Sequence, residues 1–575
     1  MTRKSTESPS PPRPHCQTPF SKPILPGHRT PPPHGGVTSR GYCMTTGVAA
    51  PDTDDATQLE QFGYKQELKR ALNLFENFAV AFCYISPVVG IYSLFVLGVG
   101  TGGPRYLWLM PIVVLGQLFV ALTFAEMGSH FPLAGALFQW AKNLMGPRYG
   151  WWVGWIYGWA LIITVASIDT GIVIYAGPLL NNIFHTNFNP ADPNQILIFT
   201  VILIAIQLFF NVGGVNFLGR ISQIGVYFEI VGTIGIAVLL GVTGFHHGLD
   251  YLFTTQGAEN AGTNAYGVDF GGNWWLGAAL VAILAHIYIF YGFESAGDIA
   301  EEVVHASKRV PRAIISSLLT AGVTSFILVG ALILAIPAAK NGLSQVVTTG
   351  GVPVIISGNV SNLNVQNVAL FVVCFAFFSC GLAVQAAAAR LIFSYSRDRA
   401  LPASRALSHV SRRFRTPVNA LLVASVIPAL FALLARATPT QNIMIGFITI
   451  PAKVNALVLL VSFAVSGIYL AFLLVVVAAL VGHLRGWKPA GAFRLGAWAY
   501  PVMIAGIVWL TAMLVNILLP SGITSPRGAL FNYDWITLAV VVVILVLGAL
   551  YFLVGRPARR IARGAATQAA PTTAS

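Results

Sequence analysis

The stretch FYGFESAGDIAEEV, residues 290–303, places four acids directly after an almost uncharged run, Trp274 to Tyr291. Glu294, Asp298 and Glu302 follow one another at i, i+4 and i+8, so a continuous helix would set them on one face, with Glu301 beside them. Carboxyls at the end of an apolar helix can hold a proton, meet an amine or pair with arginine. Three more acids interrupt apolar stretches: Glu126 in FAEMG, Asp169 in VASIDTG and Glu229 in VYFEIVG. His286 lies one to two turns before the acid-rich segment. A histidine titrates near physiological pH, so it is either a proton carrier or a packed neutral ring.

The elements that must position these groups are membrane spans. The 575 residues are 55% hydrophobic and 9% charged, against about 25% charged in soluble domains. Long apolar runs of this kind read as transmembrane helices. They place spans at roughly 74–99, 107–130, 150–180, 196–213, 217–244, 274–299, 312–337, 366–395, 417–435, 455–482, 498–519 and 534–555. Twelve spans put both termini on one side. With the termini cytoplasmic, 29 of the 34 Lys and Arg fall inside, and only Arg105, Lys340, Arg436, Lys453 and Arg527 outside. This positive-inside bias accounts for the net charge of +14 without nucleic acid. The basic block 397–415 fits a loop lying near anionic lipid. The fold class is therefore an all-α polytopic protein of the cytoplasmic membrane.

Outside the spans, residues 1–65 are rich in Pro, Ser, Thr and Gly and are expected to form a disordered cytoplasmic tail. Met44 is a plausible alternative start. Residues 66–556 form the membrane domain and 557–575 a cytoplasmic C-terminal tail. Residues 59–78 read as an amphipathic helix that lies along the membrane surface and leads into the first span. Five scattered cysteines show no metal-ligand spacing and no disulfide framework. Cys83, Cys374 and Cys380 fall within apolar runs, as core residues do.

Two spans are interrupted in corresponding places. Span one contains ISPVVGIYS, where Pro87 lacks an N–H and Gly90 frees the backbone. Span six contains YGFESAG, with Gly292 and Gly297. Each could be a simple kink, but interruptions at matching positions of two halves point to a carrier's binding site. An ordered set of segments also resembles the amino acid–polyamine–organocation superfamily, most closely its amino acid/choline branch of GABA-permease-like proteins. The set comprises GYKQELKRAL and NFAVAF within 63–82, ISPVVGIYSLFVLGVGTGGP (85–104), LFVALTFAEMGSHFPLAGALFQWAKNLMG (118–146), GWWVGWIYGW (150–159), FYGFESAGDIAEEVVHASKRVPRAI (290–314) and ARLIFSYSRDRALP (389–402). Together they extend over roughly residues 60–555. The resemblance implies a leucine-transporter-like core of five plus five inverted-repeat helices with broken helices one and six, two additional C-terminal spans, and alternating access for a small amino acid or amine. The chain departs from the branch in carrying Glu294 where Asp is common and in a long loop, 245–273, without Lys or Arg.

Half-helix N-termini suit a substrate carboxylate. This assigns the carboxylate to Ser86, Pro87, Gly90 and Ile91, through N–H groups near Gly90 and Ile91. Carbonyls of Ile289, Phe290 and Tyr291, beside Gly292, suit an amine. Tyr291 and Phe293 either cover the substrate or pack in the core. Glu294, at the break, is a candidate for amine binding, gating or proton exchange, with Asp298 one turn further on. Glu301 and Glu302 are expected to pair with bases such as Lys308, Arg309 or Arg397. Asp169 and Glu229 are either coupling residues or interhelical partners, and Glu229 is a candidate for the region where relatives hold a sodium ion or a replacing cation. Ser379 is followed by Cys380 rather than by a second hydroxyl, which favours a proton over sodium, though sodium stays open.

No cofactor or metal is expected, and the only partners legible are a small-molecule substrate and lipid. The absence of GxSxG, HExxH, Walker and CxxC patterns argues against an enzyme. A carrier of choline, ethanolamine or polyamine, an amino acid exchanger and a non-transporting sensor on the same fold remain as alternatives.

Overall fold

The computed structural model describes residues 55–256, 273–338, 342–349, 351–433, 443–445, 448–450, 456–518 and 536–562. Residues 1–54 of the expected N-terminal tail, with Met44, and most of the long loop before span six lie outside that set.

The described chain is almost entirely helical, apart from a two-stranded antiparallel ladder pairing Ile443–Ile445 with Ile448–Ile450. Among the described residues, ten helices are long and apolar enough to cross a membrane. Two shorter apolar helices, Ala278–Ile289 and Val418–Ala432, stand where spans six and nine were expected. The most apolar 18-residue stretch of the third span, Pro147–Phe184, is 94% buried within the protein, whereas that of the last, Thr537–Gly555, is 11% buried. A helix apolar all round either lies inside the bundle or faces lipid, and these two are the extremes. Helix 456–484 packs on 147–171, 306–334 on 109–130, and 278–289 on 87–102.

The first span is two helices, Leu74–Ile85 and Pro87–Gly102. Its start is set by a capping box in which Asn73 Oδ1 accepts from Glu76 N–H (3.0 Å) and Glu76 Oε2 accepts from Asn73 N–H (2.8 Å). This cap overturns the expected continuous helix over 59–78. Asp55–Gln61 is a separate short helix, and the chain from Phe62 to Asn73 is not helical, with an isolated bridge from Leu72 to Val303. Ala71 and Leu72 donate to the Glu302 carbonyl, each at 2.9 Å, and Val304 donates to the Leu72 carbonyl at 3.0 Å. The segment is thus tied under the end of span six, with Leu59, Tyr64, Leu68 and Leu72 buried. Within 55–65, the end of the expected tail, Leu59 and Tyr64 pack with Leu133.

Span six is likewise interrupted, at the YGFESAG segment. Ala278–Ile289 ends at Phe290, a single helical turn covers Ser295–Asp298, and a 3₁₀ turn covers Ala300–Glu302. The two broken spans cross at their breaks. A Cβ on Gly90 would fall 2.6 Å from Ile289 Cγ1, and one on Gly292 would fall 2.9 Å from the Ile85 backbone nitrogen. Gly292 also has φ +114°, a conformation L-residues rarely adopt.

Gly292→Ala is expected to destabilise the protein by about 1–3 kcal/mol through backbone strain alone, with the close contact at Ile85 adding to it. A clear drop in thermal midpoint in detergent, relative to an alanine at the uncrowded Gly235, checks this.

Candidate functional site

The break in span one is made by Ser86, held left-handed at φ 39° and ψ 87°. Its N–H donates to the Phe82 carbonyl (2.8 Å), closing the first half-helix. Its carbonyl accepts from Gly90 N–H (3.1 Å) and its hydroxyl oxygen from Val89 N–H (3.3 Å), opening the second. One serine therefore caps both halves. The Gly90 N–H, expected to meet a carboxylate, is occupied by Ser86, and Ile91 lies inside the same first turn. Pro87 has no N–H to offer. The donors left are Val88 N–H, which bonds to no other described residue, and the buried Tyr84 hydroxyl, which has no partner.

Across the crossing, Gly292 N–H donates to Glu294 Oε2 (2.8 Å), and Ser295 Oγ donates to the Gly292 carbonyl (2.7 Å). The carbonyls of Ile289, Phe290 and Tyr291, all in buried residues, accept no bond from the described chain. Tyr291 stands edge-on to Tyr84 at 6.1 Å, beside these groups. Phe293 does not share that position: it packs between Phe124 and Phe472, at 6.0 and 5.6 Å.

The four acids do not share one face, because the helix after Glu294 lasts one turn and then tightens. Glu294 and Asp298 stay together and converge on Tyr157 of the third span, whose hydroxyl oxygen is 2.7 Å from Asp298 Oδ2 and 3.3 Å from Glu294 Oε1. Asp298 Oδ1 has no partner. Tyr157 was missed in the sequence, where it reads as one more aromatic in GWWVGWIYGW, and nothing local to that segment reports a carboxyl 141 residues away.

Glu302 turns to the eighth span and meets Arg390 through two bonds, 2.8 and 3.2 Å, with both side chains buried. Glu301 receives Arg397 at 2.6 and 3.0 Å and the Ala134 N–H at 3.0 Å. Arg397 was among the expected partners; Arg390 was not. Next to this pair, Asp398 accepts from Lys142 Nζ (2.6 Å) and from Tyr64 (2.8 Å), Lys142 also donates to the Tyr64 oxygen, and Arg397 covers the Tyr64 ring at 4.0 Å. Burial, and then Asp398, push the Tyr64 phenol above its ordinary range, so it stays a donor.

The remaining expected residues are separate from this crossing. Glu229 is buried behind the span-one break, beside Ser86 and Cys83, with neither carboxyl oxygen hydrogen-bonded. His286 points away from the break. Its Nε2 lies 3.1 Å from the Tyr106 carbonyl and its ring stacks on Tyr106 at 4.9 Å. A carbonyl can only accept, so Nε2 is the donor, and Nδ1 has no partner among the described residues. Asp169 contacts spans four and eight. Cys83, Cys374 and Cys380 are free thiols; Cys380 Sγ donates to the Tyr84 carbonyl (3.3 Å) and Cys83 Sγ to that of Ser222 (3.2 Å).

Removing one partner of a buried ion pair strands the other and costs about 3–5 kcal/mol. Arg390→Leu is therefore expected to lower thermal stability and yield severely. The Arg390→Leu/Glu302→Leu double variant should regain most of the loss, as read by thermal unfolding in detergent.

The comparisons with known proteins agree with this architecture. The crystal structure of MhsT in complex with L-phenylalanine superposes with a TM-score of 0.58 at 14% identity, over 78% of this chain and 99% of that one, so the two share a fold. Amino-acid permease BAT1 of Arabidopsis thaliana is 25% identical over 484 residues, 80% of this chain and 88% of the relative. The GABA-specific permease of Saccharomyces cerevisiae is 26% identical, over 84% and 82% of the two chains. Thiamine transporter thi9 of Schizosaccharomyces pombe is 27% identical, over 84% and 83%. These relatives are transporters and not enzymes. The amino acid permease family model matches residues 72–547, and the chain belongs to that family of multi-pass membrane transporters.

Proposed function

We propose that the protein is a secondary carrier that moves a small zwitterion, an amino acid or a GABA-like amine, across the cytoplasmic membrane by alternating access coupled to protons. The observation that carries this reading is the set of buried, unpartnered backbone and hydroxyl groups at the crossing of the two broken spans. Val88 N–H and the Tyr84 hydroxyl are donors suited to a carboxylate, and the carbonyls of Ile289, Phe290 and Tyr291 are acceptors suited to an amine. Buried polar groups without partners are costly, so a ligand that completes them binds with that energy. The resemblance to permeases supports twelve spans, a five-plus-five repeat and cytoplasmic termini. On that orientation Tyr64, Lys142, Asp398, Arg397 and Glu301 close the cytoplasmic end.

The proton is assigned to the carboxyl pair at the break. Tyr157 has one hydrogen to donate but lies against two carboxyl oxygens. Among the described residues no basic side chain contacts either acid. Two unpaired charges this close in a dry interior repel strongly, so the pair holds a proton that can be passed on when the break rearranges. Glu229 is a second candidate of the same kind. Uptake of an organic cation is the alternative, favoured by the carboxyls and carbonyls at the site and by the likeness to a thiamine transporter.

Uptake into proteoliposomes, acid outside, of labelled GABA, amino acids, choline, ethanolamine, putrescine and thiamine tests both readings. Accumulation of one zwitterion that a protonophore abolishes is the expected result. Uptake of cations alone would overturn the zwitterion assignment. Glu294→Gln and Tyr157→Phe should each reduce proton-driven accumulation by about tenfold or more, in keeping with about 1.5–3 kcal/mol for a hydrogen bond to a charged group, and impair exchange less. Equal loss in both modes would assign these residues to binding or folding.

A further inference from the structure

Asp169 lies in the helix Pro147–Gly171, three residues before the third span steps at Ile172 into Val173–Phe184. It is fully buried. Gln207 and Thr200 face it from the helix Pro193–Val212. Gln207 Nε2 donates to Asp169 Oδ1 at 2.7 Å, and Thr200 Oγ1 donates to the Asp169 backbone carbonyl at 3.2 Å. From the eighth span comes Gly381, with the Cys380 thiol next to it. The bare backbone at Gly381 admits the pair: a Cβ there would lie 2.5 Å from Asp169 Oδ1 and 2.3 Å from Gln207 Nε2. Among the described residues no lysine, arginine or histidine pairs with Asp169.

Two atoms remain over. Asp169 Oδ2 and Gln207 Oε1 are both buried and both without a partner. An ionised carboxylate held by one amide hydrogen, with no countercharge, is among the costliest groups to bury. A neutral carboxylic acid instead carries one O–H, which needs one acceptor. The Gln207 amide already meets the carboxyl through Nε2 and Oδ1, with Nε2 also 3.4 Å from the Phe378 carbonyl, so the two unpartnered oxygens belong to one hydrogen-bonded pair of side chains. A single hydrogen between them satisfies both.

We infer that Asp169 and Gln207 form a reciprocal acid–amide pair, Nε2–H to Oδ1 and Oδ2–H to Oε1. The pair is a proton-binding site between the third, fourth and eighth spans, sharing no hydrogen bond with the Glu294–Tyr157–Asp298 group. Losing its proton would leave two lone pairs facing each other and a charge with no partner. The bound proton thus adds a further link between span three and span four, beside the Gln207 Nε2 and Thr200 Oγ1 bonds.

Infrared difference spectroscopy of the purified protein in lipid tests this without any substrate, so it stands or falls separately from the transport reading. The wild type should show a protonated-carboxyl band that is lost in Asp169→Asn. Coincident wild-type and Asp169→Asn spectra in that region would overturn the inference. Asp169→Asn can keep both hydrogen bonds, its N–H₂ donating to Gln207 Oε1, so its thermal midpoint should stay near that of the wild type while that of Asp169→Leu falls. If Asp169→Asn does not fold, Gln207→Leu decides: the Asp169 band should shift towards that of a carboxyl without a hydrogen-bonded partner, and an unmoved band would overturn the pairing.

Discussion

A helix that breaks inside a membrane bundle exposes backbone groups where neither water nor lipid can satisfy them. Everything around the crossing of spans one and six answers that constraint. Ser86 closes one half-helix with its N–H and opens the next with its carbonyl and hydroxyl oxygens. Glu294 accepts from Gly292 N–H, and Ser295 donates to the Gly292 carbonyl. What these caps leave unsatisfied is a small set of donors on one span and acceptors on the other. The site is therefore the remainder of the capping, and its polarity is set by which backbone groups the caps cannot reach.

The acids near the break are sorted by their partners. Glu301 and Glu302 meet Arg397 and Arg390 in two-bond geometry, which suits buried pairs because all the lone pairs on one side are used. Glu294 and Asp298 meet a tyrosine instead. A phenol can donate to a carboxylate or accept from a carboxylic acid, so this arrangement tolerates a change in proton count that an arginine pair does not. The ion pairs tie the end of span six to span eight, while the tyrosine-bridged pair sits at the segment that breaks. Division of labour among four neighbouring acids thus follows from one helical turn ending at Asp298 and the 3₁₀ turn that redirects the next residues.

Spans in the sequence were legible because hydrophobic length reports membrane crossing regardless of neighbours. The breaks were legible because Pro87, Gly90 and Gly292 change local backbone chemistry. Where the reading of 59–78 as one helix failed, the apolar spacing was real, but Leu68 and Leu72 are buried in an irregular segment that bridges to Val303 rather than in a membrane-surface helix. Periodicity cannot distinguish those two when the partner is the Glu302 carbonyl, distant in the chain. The expected anion donors near Gly90 and Ile91 were chosen without knowing which residue caps the half-helix, and in the structure Ser86 takes the Gly90 N–H.

The sequence by itself determined an all-helical membrane protein, the places where two of its spans break, the segments that resemble amino acid permeases, and the acids that had to find partners. These are properties of composition and local backbone chemistry, which act within a few residues. Only the tertiary structure decided that Tyr157 joins Glu294 to Asp298, that Glu302 belongs to Arg390, that Tyr64 and Lys142 hold Asp398, and that His286 turns away from the break onto Tyr106. Each of these pairings links residues that lie far apart along the chain, in different segments of the fold. In a dry interior a polar group takes whichever partner the packing delivers, and packing is a property of the whole bundle.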